Sequence, residues 1–159
     1  MGPDPNGLQI AAQLLVLLLL TLINAFFAGA EMAVVSVNKS KIHSLAQKGN
    51  KKAQCVEQLF SDSTKFLSTI QVAITFAGFF SSASAATGIS QILGQWLAGF
   101  SIPYSGTIAV VGVTLILSYF TLVFGELVPK RVALKRADQF SMMTVRPILF
   151  ISKILSPFI

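Results

Sequence analysis

The run Leu14-Leu15-Val16-Leu17-Leu18-Leu19-Leu20 is apolar on every side of a helix, and it sits inside a gap of 26 uncharged residues between Asp4 and Glu31. About 20 helical residues cross a hydrocarbon core of roughly 30 Å, so this segment is long enough to span a bilayer. A cleaved signal peptide is the rival reading. The stretch has no basic residue ahead of it, however, and it exceeds the usual apolar core of about 7–15 residues. A second gap is longer: residues 66–125 are 60 consecutive positions without a charge. That is two crossings and a connection, broken by Gly94, Gly99, Pro103 and Gly106 beside Trp96 and Tyr104. The expected spans are 8–33, 66–88 and 106–128. Ile92, Leu93, Trp96 and Leu97 share one helix face in the linking stretch, which reads as a short interfacial or re-entrant helix.

Composition agrees. Only 11% of the 159 residues are charged and 53% are apolar, whereas a soluble domain carries about a quarter of its residues as charges. A soluble enzyme or nucleic-acid binder is therefore a poor fit despite the net charge of +6. One cysteine, Cys55, and one histidine, His43, exclude a disulfide framework and a Cys/His zinc centre within the chain. No His-Glu-x-x-His pair points to an intramembrane metalloenzyme, and no catalytic residue is assigned.

The twelve basic residues divide by side. Lys39, Lys41, Lys48, Lys51, Lys52 and Lys65 lie between the first two spans; Lys130, Arg131, Lys135, Arg136, Arg146 and Lys153 follow the third. Three crossings put both groups on one face, so the positive-inside rule predicts an external N-terminus and a cytoplasmic C-terminus. These charges suit anionic headgroups, at about 1 kcal/mol each near the surface, better than nucleic acid. Residues 39–60 form a predicted cytoplasmic helical segment, amphipathic through Ile42, Leu45, Ala46, Val56, Leu59 and Phe60 and broken at Gly49-Asn50. Residues 137–159 read as an interfacial helical segment, because a fourth span would bury Arg146 and Lys153 at about 2.5–3.5 kcal/mol each. The transmembrane domain is accordingly placed at 1–136.

Polar residues inside the spans repeat at helical spacing: Thr21, Asn24, Ala28 and Glu31; Ser68, Gln71, Thr75, Gly78 and Ser82; Thr114, Ser118, Thr121 and Gly125, next to Glu126. Ordinary interhelical hydrogen bonding explains isolated Ser and Thr residues. Carboxylates in or beside a span are costly and mark a pathway or a partner, which singles out Glu126 and Glu31, although either can instead reach a neighbouring lysine or a backbone amide. Small residues (Ala25, Gly29, Ala33; Ala73, Ala77, Ser81, Ala85; Gly78, Ser82, Ala86) permit close helix packing or the lining of a cavity. In Gly125-Glu126-Leu127-Val128-Pro129-Lys130, Pro129 cannot donate to the Gly125 carbonyl four residues earlier, which leaves a carbonyl beside a carboxylate. Such oxygens are hard ligands for Na⁺, Mg²⁺ or Ca²⁺.

These residues resemble the transmembrane domain of the CNNM/CorC family of magnesium and cobalt efflux proteins, known in bacteria as hemolysin-like. Asn24-Ala25-Phe26-Phe27-Ala28-Gly29-Ala30-Glu31-Met32-Ala33 is similar to the family's Ser-Ala-Phe-Phe-Ser-Gly-Ser-Glu-Thr-Ala, Phe66-Leu67-Ser68-Thr69-Ile70-Gln71 to its second-helix start, and Phe124-Gly125-Glu126-Leu127-Val128-Pro129-Lys130 to its Phe-Gly-Glu-Ile-x-Pro-Lys. The resemblance implies an all-α integral membrane homodimer with three transmembrane helices per protomer, cytoplasmic juxtamembrane amphipathic helices and a bacterial cell-membrane location, with regulatory CBS domains expected to follow. It also implies Na⁺-coupled Mg²⁺ export, with the ion held by first- and second-helix oxygens and the Glu of the Gly-Glu motif. Only Glu126 carries over directly. The family's first-helix serines are replaced by Asn24, Ala28 and Ala30, and its second-helix Gly-Asn-Asn by Ala73-Ile74-Thr75. The candidate metal ligands are thus Glu126, Asn24, Thr75, Gln71 and Gly125, with Glu31, Ser68, Ser82, Ser118 and Thr121 behind them. A non-transporting membrane anchor that senses Mg²⁺ and relays its occupancy is the competing function.

Overall fold

A computed structural model describes residues 5–155, with side chains for residues 7–84 and 88–154. The described chain is helical apart from short connections. Helix α1 (Pro5–Ser36) is followed by α2 (Lys39–Gln47), α3 (Lys51–Ser61), α4 (Ser63–Thr87) and α5 (Ile89–Ala98); α6 (Ser105–Leu122) runs through a π-helical segment, Val123–Leu127, into α7 (Val128–Lys135), and α8 (Ala137–Leu155) ends the described chain. Among the described residues, three stretches are long and apolar enough to cross a membrane: Gly7–Ser36, Ser63–Ala98 and Ser105–Lys135. This is the all-α membrane architecture that the uncharged gaps predict. The predicted spans 8–33 and 66–88 fall on α1 and α4. The third, 106–128, follows α6 through the π-helical segment.

At 1.5 Å per residue the 32 residues of α1 reach about 48 Å, more than a hydrocarbon core requires. The surplus enters a helical belt built from α2, α3, α8 and the start of α4. There Phe27, Ala30 and Val34 of α1 and Val37 just beyond it meet Ile42, Ala46, Ala53, Val56, Leu59, Phe66, Ile70, Ala137, Val145 and Ile148 in one buried apolar cluster. Local chemistry sets the turns of this belt. Asn38 caps α2 by accepting from the Lys41 amide at 3.1 Å. Gly49, at φ +85°, supplies the left-handed residue after α2. Asn50 then caps α3 through the amides of Lys52 and Ala53, at 3.0 and 3.2 Å.

Polar contacts pin the belt's outer face. Lys41 Nζ donates to Asp138 Oδ2 at 2.6 Å, and the Asn38 amide donates to Asp138 Oδ1 at 3.3 Å, joining the start of α2 to the first turn of α8. The hydrogen bond from Lys41 holds the Asp138 carboxyl below its ordinary pKa. His43 pairs with Glu57 between α2 and α3. The predicted interfacial segment 137–159 is largely α8. Its buried Ser141, Thr144, Val145 and Ile148 face the bundle, while Arg146 is exposed and Lys153 lies on the outer side. Residues 156–159 lie outside the described residues.

The small-residue stripes divide between the two roles expected of them. Gly29 and Ala33 are buried, and a Cβ at Gly29 would meet the Phe140 ring at 3.0 Å, so α8 rests on α1 through that glycine. Ala77 is also buried. At Gly78, by contrast, a Cβ would meet nothing within 4 Å. The side chains of Ala85 and Ala86 lie outside the described residues. Further along, Gly94 of α5 approaches Gly106 of α6, where a Cβ would stand 3.3 Å from the Gly106 Cα. This hairpin occupies the linking stretch predicted to carry a short helix.

Candidate functional site

The π-helical segment Val123–Leu127 sits where the sequence makes a regular α-helix hardest to continue. Pro129 offers no N–H to the Gly125 carbonyl, and the Val128 amide bonds back to the Val123 carbonyl, five residues earlier. The Gly125 oxygen finds a partner on α1 instead: Asn24 Nδ2 donates to it at 3.2 Å, across 101 residues of sequence. The glycine leaves room for this approach, because a Cβ at Gly125 would stand 3.2 Å from Asn24 Nδ2, tighter than an ordinary contact.

This bond fixes the orientation of the Asn24 amide. With Nδ2 turned to a carbonyl, Oδ1 must be the other end, and it is buried without a hydrogen-bond partner. Asn24 itself is 5% exposed. Leaving a buried acceptor unpaired costs about 1–3 kcal/mol, so such an oxygen calls for an explanation beyond packing.

Asn24 lines an open cleft of about 390 Å³ together with Thr75, Ser81, Ser82, Ser118, Thr121 and Glu126, with Ile74, Phe79 and Leu122 as its apolar walls. Six of the residues selected from sequence therefore converge: Asn24, Thr75, Ser82, Ser118, Thr121 and Glu126. The Thr75 hydroxyl donates to the Gln71 carbonyl at 2.8 Å, which leaves its oxygen lone pairs for another partner. Gly125 enters through its bond to Asn24 rather than as a wall of the cleft. Gln71 is exposed and lines a separate apolar recess with Val72, Phe76 and Phe79. Ser68 is half-buried and lies outside the cleft.

Both singled-out carboxylates reach one lysine. Lys130 Nζ lies 2.8 Å from Glu126 Oε1 and 3.4 Å from Glu31 Oε2, and all three side chains are between a quarter and a third exposed. In the sequence, Lys130 counts only toward the topology. Its i, i+4 spacing from Glu126 is the signal that could have brought it into the site, whereas the contact with Glu31 depends on how α1 packs against α7. Ser81, also absent from the candidates, is buried at the cleft wall.

Among the described residues no three His, Cys, Asp or Glu side chains converge as a metal cluster. The donors that do converge are hydroxyl, amide and carboxylate oxygens, a set suited to a hard cation rather than to a thiophilic metal.

The chain is similar to known proteins over nearly its whole length. A family model described as CNNM, cyclin M transmembrane N-terminal domain, matches residues 14–159. The UPF0053 protein sll0260 of Synechocystis sp. is 28% identical over 153 residues, covering 95% of this chain and 34% of that protein. The UPF0053 protein YhdP of Bacillus subtilis is 28% identical over 148 residues, covering 92% and 33%, and the B. subtilis YrkA is 29% identical over 148 residues, covering 92% and 34%. The chain thus spans about a third of the length of these curated relatives.

Proposed function

Because the chain belongs to the CNNM transmembrane-domain family, whose members are membrane proteins connected with divalent-cation transport, we propose that it carries Mg²⁺ out of the cytoplasm, coupled to Na⁺ entry. In this reading the basic belt faces the cytoplasm and its anionic headgroups, the N-terminus lies outside, and two copies associate. The ion enters the cleft between α1, α4 and α6. Glu126 neutralises part of its charge, while Asn24 Oδ1, Thr75 and the nearby hydroxyls replace part of its water shell. Mg²⁺ keeps several waters and needs near-octahedral oxygens at short distances, which an open cleft with one carboxylate can accommodate. Alternating exposure of this cleft to the two sides would complete transport.

The observation that carries the proposal is the buried, unpartnered Oδ1 of Asn24 in the residue set that also presents Glu126. The Gly125 bond holds that oxygen in place before any ion arrives, so binding does not have to order it. Mg²⁺ flux from proteoliposomes containing the protein tests the proposal. Glu126→Gln and Asn24→Leu should reduce flux to background, and wild-type rates in Glu126→Gln would overturn it.

A second reading is favoured by one fact: the relatives are about three times as long as the matched region, leaving ample chain to act on a signal. In that reading the domain anchors the protein and senses Mg²⁺ without moving it. Thermal stability would then rise with Mg²⁺ in the absence of flux, and flux under a Na⁺ gradient would reject it.

A further inference from the structure

Two anions face one cation at the edge of the cleft, and this arrangement has an electrostatic consequence. We propose that Lys130 is a tethered competitor for the transported cation, its ammonium holding Glu126 until the ion arrives and then moving onto Glu31. The proposal rests on the ion site described under Proposed function and assigns that site its release mechanism.

The geometry favours a short transfer. Lys130 Nζ already leans on Glu126 Oε1 at 2.8 Å while standing 3.4 Å from Glu31 Oε2. A lysine ammonium is a compact charge on a flexible four-carbon stem, so leaving one carboxylate for the other needs only rotations near the end of the chain. The three groups belong to different elements: Glu126 lies on the π-helical segment, Lys130 on the first turn of α7, and Glu31 on α1. With no more than a third of each side chain exposed, solvent screens the cluster less than it would a surface pair.

Charge counting gives the direction. Glu31, Glu126 and Lys130 sum to −1, and a divalent ion on Glu126 changes that to +1. An ammonium at hydrogen-bond distance from the same carboxylate would oppose the ion directly. Glu31 supplies the alternative partner that lets the ion in without leaving the Lys130 ammonium unpaired. When the ion leaves, the ammonium returns to Glu126 and lowers the chance of immediate rebinding. Glu31 thereby acts as a docking position for Lys130 and need not touch the ion.

The test measures Mg²⁺ affinity by calorimetry and Mg²⁺ flux on the full chain carrying Lys130→Met, Glu31→Gln, both changes, or Glu126→Gln. Lys130→Met should tighten Mg²⁺ binding about tenfold or more, the scale on which one neighbouring charge acts, while lowering both KM and kcat because release is slowed. Glu31→Gln should weaken binding by a similar factor, and most of that loss should vanish in the double variant, where no ammonium remains to be parked. A lysine that only braces α7 against α1 would give the opposite KM change. Weaker or unchanged binding in Lys130→Met, or an equal Glu31→Gln effect in both backgrounds, overturns the inference. If either occurs while Glu126→Gln still abolishes binding, the ion site stands and only the role of Lys130 falls. Wild-type Mg²⁺ binding in Glu126→Gln removes both.

Discussion

The belt and the membrane-spanning half of this chain are held together differently. In the belt, Ile42, Val56, Val145 and Ile148 are wholly buried in one apolar cluster. In the spans, Leu17 and Val113 form a small second cluster, while large side chains such as Leu115, Ile116 and Tyr119 are exposed. Water explains the first arrangement, since burying apolar area from water is the main favourable term in folding. It cannot explain the second, because lipid tails are as apolar as leucine and offer no such gain. The spans rely instead on close backbone approach at glycines and on interhelical hydrogen bonds such as Asn24 to Gly125. A half that need not fill every gap with apolar bulk can leave an oxygen-lined cleft open, and that is where the candidate site lies.

Truncating apolar side chains in each half is the largest test of this contrast. Ile148→Ala in the belt should cost about 2–5 kcal/mol, read as a clear fall in Tm for the purified protein. Leu115→Ala, at 66% exposure on α6, should change stability by no more than about 0.5 kcal/mol. Equal losses would break the comparison.

Two glycines sharpen it at intermediate scale. Gly125→Ala pushes a methyl against Asn24 Nδ2 and should cost about 1–3 kcal/mol, with a fall in Mg²⁺ affinity on titration. Gly78→Ala meets nothing within 4 Å and replaces a helix-interior glycine, so thermal melts should show a gain of up to about 1 kcal/mol. The same substitution then has opposite signs at two positions in the spans.

The smallest effect belongs to the belt's surface. Asp138→Asn removes a partly exposed ion pair and should cost less than about 1 kcal/mol. The Asp138 pKa is lowered in the folded state, so its contribution is complete above the unfolded carboxylate value of 3.8 and fades as pH falls through the lower folded value. A pH series of melts on wild type and Asp138→Asn should therefore converge below pH 3.8 and separate above it.

Much of the cleft lining could be read from spacing, and the residues that fall outside it do so for a geometric reason. Ser68, Gln71, Thr75, Gly78 and Ser82 share one helix face, but spacing gives azimuth and not depth. Ser68 lies seven residues, about 10 Å, from Thr75 along α4, toward the belt, and Gln71 about one turn away on an exposed surface. Along α4 the cleft is lined from Ile74 to Ser82. Pro129 pointed to the Gly125 carbonyl, and the polar stripe to Asn24, yet nothing local joins two groups 101 residues apart.

The sequence by itself determined that this is a helical membrane protein, where its spans fall and which oxygens are available, because missing charge and helical spacing are properties of consecutive residues. Tertiary structure alone decided that Asn24 would spend its N–H on Gly125 and keep a buried oxygen unpaired, and that Lys130 would stand between Glu31 and Glu126. Those outcomes depend on the rotation and depth of α1 against the π-helical segment and α7, set by side-chain packing between parts of the chain that no local pattern connects.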